Sequence, residues 1–143
     1  MSINSNFPNK DILEITFLNE PDFYHISYQN RDFLIVAKDK DINTNLIGIT
    51  ITGEVYYLTL ADTRVCYIAN NIDVFIAELL AFDDYMKHEP NDLSVFSDEL
   101  QLSQFANEFR NIILKLDKSA FEGNNEEDTF WAEVCEEIEY GIL

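Results

Sequence analysis

The pattern of apolar and polar positions changes character near residue 70. Before it, apolar residues alternate or gather in short runs between turn formers, which is strand behaviour. The runs predict strands over Ile12 to Leu18, Phe23 to Gln29, Phe33 to Lys38, Leu46 to Ile51, Glu54 to Leu60 and Arg64 to Ala69. Asn19-Glu20-Pro21-Asp22 and Asn30-Arg31-Asp32 break the first junctions. Thr52-Gly53 is a tight-hairpin signal, because glycine accepts the positive φ of a short turn, and Asp62-Thr63 closes the last hairpin. No crossover helix fits between these runs, so the connections predict an antiparallel meander.

After residue 70 the period becomes helical. Asn71 is placed to cap a helix whose apolar positions are Ile72, Phe75, Ile76, Leu79, Phe82 and Met86. Pro90 stops it. Ser97 or Asp98 can cap a second helix with Leu102, Phe105, Phe109, Ile112, Ile113 and Leu116 on one side. Gly123 and the polar run 124–128 form a break. A third helix turns Phe130, Trp131, Val134, Cys135 and Ile138 inward, with Gly141 where helices often end. Strands followed by helices predict one α+β domain over residues 1–143. Its antiparallel sheet of about five to six strands carries helices packed on one face.

Charge changes this picture most. Among 143 residues, 27 are acidic and 9 basic, a net charge of −18. Residues 1–70 carry net −4 and residues 71–143 net −14, which places any electrostatic interface in the second half. Such a field repels nucleic acid, which is bound through Lys and Arg, and repels anionic membrane surfaces. It suits a basic protein partner, the alternative being a charge that serves solubility alone. The apolar fraction of 47% supports a full core. Two cysteines far apart in sequence, Cys66 and Cys135, read as reduced and buried. The opening residues lack a basic-then-apolar secretory pattern, and no run approaches the ~18 apolar residues of a membrane helix. A cytoplasmic location is expected.

Candidate chemistry is sparse, and no enzyme is expected. Gly48 and Gly53 are isolated, so there is no phosphate-cradling loop. His25 lies in a predicted strand and His88 follows a helix end, and neither is near a nucleophile in sequence. The run from Asp39 to Asn45 begins like a calcium loop. It lacks the required glycine at the sixth position (Thr44) and the glutamate at the twelfth (Thr50), so it reads as a solvated turn without a metal. No cofactor is expected. Asp83 falls inside the apolar arc of the first helix, which calls for a partner, a raised pKa or a place past the sheet edge near the frayed helix end, while Asp84 faces water. On the third helix Glu126, Glu133 and Glu137 stack opposite Trp131, with Glu136 beside them. Like charges at this spacing cost about a few tenths of a kcal/mol per pair, and a basic partner relieves them. On exposure and charge alone, Asp84, Glu133, Glu136 and Glu137 are the candidate partner-binding residues, the alternative being an ordinary solvated face.

Two segments carry a resemblance. VCYIANNIDVFIAELLAFDDYM runs from a strand through a polar junction into a helix with Phe75 in its first turn. LDKSAFEGNNEEDTFWAEVCEEIEYGIL has an aliphatic-Asp start, a polar loop, and Phe130-Trp131 opening the last helix. Together, over roughly residues 46–143, they resemble the SUKH superfamily of bacterial immunity proteins, especially its fourth group; yeast cell-wall assembly regulators belong to the same superfamily. The chain departs from the family at Ala69-Asn70-Asn71, where Asn-Ser-Ser is frequent, and at Lys118, where proline is common. The resemblance implies an immunity protein that binds and neutralises a cognate polymorphic toxin, a nuclease or nucleic-acid deaminase, by covering its basic surface. The alternative it leaves is a non-enzymatic regulatory or scaffolding module of the same fold. Secretion chaperones are also small and acidic, but they usually open with a helix.

Overall fold

The computed structural model describes residues 7–88, 99–121 and 129–140. Six strands, β1 (Ile15–Phe17), β2 (Tyr24–Tyr28), β3 (Arg31–Asp39), β4 (Asn45–Ile49), β5 (Val55–Thr59) and β6 (Arg64–Ala69), form one antiparallel sheet. The helices α1 (Ile72–His88), α2 (Glu99–Leu116) and α3 (Phe130–Glu139) follow it in sequence, giving an α+β fold. Pro90, the capping positions Ser97 and Asp98, the break at Gly123 to Asp128 and Gly141 lie outside the described residues.

Strands β2 to β6 pair in sequence order, as a meander does. The first strand departs from it. Leu13 and Glu14 adopt left-handed backbone, with φ of 53° and 64°, and the chain turns back there. Only Ile15–Phe17 then pairs, against the last residues of β3, while β2 pairs with the first half of that same strand. The break expected at Asn30-Arg31-Asp32 is also displaced. Gln29 and Asn30 both take positive φ, 51° and 62°, leaving Tyr28 opposite Arg31. Two left-handed central residues match the twist of paired strands, so β3 begins directly at Arg31.

Both faces of the sheet are buried, by different means. Val36, Ile47, Ile49, Val55 and Ile68 join the helices in one core, with Phe75, Leu79, Phe82, Phe109, Ile113, Trp131 and Ile138. The opposite face holds a smaller cluster of Phe33, Ile35, Leu46 and Leu58. There the Arg31 guanidinium lies 4.8 Å from the Tyr56 ring centroid, a cation–π contact that shields the aromatic surface. A Cβ on Gly48 would stand 2.9 Å from Cβ of Phe33, so glycine is what lets Phe33 lie flat on β4. Register shifts at Ile35/Ala37 and at Val55/Tyr56 mark bulges, which bend strands and re-aim side chains. The first lets Ile35, Val36 and Ala37 all be buried in succession.

Side chains fix the junctions. The Val74 amide donates to Oδ1 of Asn71 at 2.9 Å, so Asn71 caps α1 as its sequence position predicts. Thr129 caps α3 through the Ala132 amide at 3.3 Å. Asp117 accepts from the Ser119 amide (2.9 Å) and hydroxyl (2.6 Å), closing the short 3-10 turn Lys118–Phe121. The Tyr67 and Ser119 hydroxyls lie 2.7 Å apart, which ties that turn to β6.

Candidate functional site

The α3 helix leans over the β5–β6 end of the sheet and leaves a groove of about 320 Å³ between them. Its walls are apolar, formed by Leu13, Tyr57, Phe130 and Val134; the Tyr57 and Phe130 rings stack at 5.5 Å. Its charged rim is acidic. Glu14, Asp39, Glu133 and Glu137 all line it, against one cation among the lining residues, Arg64. Arg64 pairs with Glu133 at 2.5 Å, joining β6 to α3. Both partners are substantially exposed, so this pair contributes little stability. Glu14 pairs with Lys40 at 3.1 Å.

The carboxylates differ in their surroundings. Burial pushes the Glu137 carboxyl up, and the neighbouring charges of Glu133 and then Glu136 push it further. This is the helix-face repulsion that the spacing predicts, and an incoming cation would reverse it. Asp39 is nearly buried, and its Oδ1 accepts from the amides of Asp41 (2.8 Å) and Ile42 (3.0 Å). The run resembling a calcium loop is thus a β3–β4 turn held by an aspartate side chain.

The four candidate partner-binding residues lie on different surfaces of the structure. Glu133 and Glu137 line the same groove. Glu136 points the other way, into a second groove between α2 and α3 that it shares with Arg110, Glu139 and Tyr140. Asp84 is exposed on α1 and lines neither. A four-residue step keeps Glu133 and Glu137 on one face, whereas Glu136 is rotated 100° from Glu137. Glu126 lies outside the described residues. The sequence reading missed Glu14 and Asp39, which arrive from the start of β1 and the end of β3; no local spacing links them to α3.

Asp83 is paired rather than bare. It meets Lys10 at 2.7 Å and Lys87 at 3.0 Å. The Lys10 contact, then that of Lys87, holds its carboxyl below the ordinary value despite partial burial. It therefore fastens the chain ahead of β1 to α1. No disulfide joins Cys66 and Cys135, and both are buried; burial pushes the Cys135 thiol up to about 12, leaving it protonated and unreactive. No group of three or more metal-type ligands occurs among the described residues. No described helix is long and apolar enough to cross a membrane.

No protein family, curated protein or solved structure matches the chain.

Proposed function

We propose that this protein is a non-enzymatic immunity protein that binds a basic toxin domain and masks its nucleic-acid-binding surface. The toxin is a nuclease or a nucleic-acid deaminase. The observation that carries the reading is the groove between α3 and the sheet, where Glu14, Glu133 and Glu137 reach solvent above an apolar floor, Asp39 lies nearly buried, and Arg64 is the one lining cation. A nucleic-acid enzyme presents Lys and Arg to phosphates. Carboxylates set on a rigid helix and sheet can occupy the places of those phosphates, and the −18 charge speeds the encounter. The apolar floor supplies the desolvated centre that a tight interface needs around its charged rim. The resemblance of residues 46–143 to SUKH immunity proteins points the same way.

Co-expression with the C-terminal domain of a toxin encoded beside the gene tests this directly. Restored growth together with a stable co-purified complex is the expected outcome. The absence of both rescue and complex would contradict the immunity reading and favour a regulatory module of the same fold.

A further inference from the structure

The inner side of α3 meets a carboxylate that toxin binding does not use. Glu78 sits in α1, three residues after Phe75 and four before Phe82, on the face that enters the core. It is completely excluded from solvent. Neither of its carboxylate oxygens has a hydrogen-bond partner.

Its surroundings offer little compensation for a negative charge. From α3 it meets the indole N–H of Trp131, which closes no hydrogen bond of ordinary geometry. From the end of α2 it feels Asp117, whose Oδ2 is likewise left over. From β6 it feels the Tyr67 phenol, itself pushed up to about 12 by burial. Among the described residues, no Lys, Arg or His acts on Glu78. A bare charge there costs far more than a neutral acid. Burial pushes the Glu78 carboxyl up to about 9; the Trp131 N–H pulls the other way, and the Asp117 charge adds to the rise.

We propose that Glu78 is carried in the core as the neutral acid and serves as a proton-loaded latch beneath α3. With its proton on, α1 and α3 close around Trp131. When the proton leaves to solvent, a bare carboxylate faces Asp117, and the first turn of α3 is driven off the core. Because α3 also carries Glu133 and Glu137, opening the latch disperses the acidic groove; that consequence rests on the proposed function, whereas the latch itself does not.

The direction with pH follows from linkage. Glu78 binds its proton more tightly in the folded chain than at its ordinary value of 4.5. Its contribution to stability is complete below about 4.5, declines as pH rises, and is lost through about 9. Across that window the unfolding constant rises by up to about tenfold per pH unit relative to a chain lacking the group.

Trp131 is the chain's single tryptophan, so its fluorescence reports on this spot alone. The experiment is an alkaline titration of Trp131 emission in the wild type and in Glu78→Gln, which keeps the shape but cannot ionise. A transition with its midpoint near 9 in the wild type and none in the variant is expected. The stability advantage of Glu78→Gln over the wild type should also grow with pH. Identical emission titrations in both proteins would overturn the proposal. If Glu78→Gln does not fold, the side-chain ¹³C resonance of Glu78 in the wild type decides. A midpoint near 9 supports the latch, and one near 4.5 overturns it.

Discussion

The two sides of α3 treat carboxylates in opposite ways. On its outer side, Glu133 and Glu137 stand at a groove wall open to solvent, and Arg64 balances part of the charge. On its inner side, Trp131 covers Glu78, which is shut off from solvent and has no cation beside it among the described residues. Water and counter-ions make a surface carboxylate inexpensive, so it can be held ready for a partner. In the core the same group stays only by keeping its proton. Position relative to solvent, and not residue type, therefore decides which acids of this −18 chain act as charges.

The sharpest way to break this contrast is at the residue that separates the two sides. Trp131 is fully buried and packs on Phe109 at 5.7 Å and Phe130 at 4.9 Å. Trp131→Ala should cost roughly 3–5 kcal/mol in denaturant unfolding. Next comes the Glu133→Lys/Glu137→Lys pair. Toxin affinity should fall roughly 10- to 100-fold, about 1.4–2.7 kcal/mol, while the melting temperature stays within about 2 °C of the wild type, because only exposed charges change. Gly48→Ala forces a Cβ into Phe33 on the face away from the groove. It should cost roughly 1–3 kcal/mol of stability and leave the intrinsic affinity of the folded protein unchanged. Asn71→Ala removes the α1 cap and should cost about 1 kcal/mol.

The smallest effect tests the pH signs. Asp83 lies five residues from Glu78 on α1 but is held below its ordinary value by Lys10 and Lys87. Its contribution is present above its ordinary value of 3.8 and is lost as pH falls through the lower folded value. Asp83→Asn should therefore cost under about 1 kcal/mol near neutrality and nothing in strong acid. Glu78→Gln should show the reverse trend, its advantage over the wild type growing as pH rises.

Much of this architecture is legible in local sequence. Strand β6 spans the residues that its pattern predicts, and Asn71 caps α1. The shortened β1 is not legible, because Leu13 and Glu14 lack the glycine or asparagine that ordinarily marks left-handed backbone. Glu78 is half legible. Its spacing from Phe75 and Phe82 puts it on the apolar face, but Asp83 falls on that face too; Lys87, one turn on, is a legible partner for Asp83, whereas the Lys10 contact and the full burial of Glu78 come only with the fold. The groove is the least legible feature, since Glu14 and Asp39 reach α3 through sheet pairing rather than through sequence proximity.

The most direct test of the groove as the proposed docking surface is calorimetric titration of the toxin domain identified by co-expression into wild type and into Glu133→Lys/Glu137→Lys. The account predicts tight binding to the wild type and a 10- to 100-fold loss in the double variant, roughly 1.4–2.7 kcal/mol, with its fold intact. Equal affinity for the two proteins would contradict it and move the contact to another surface.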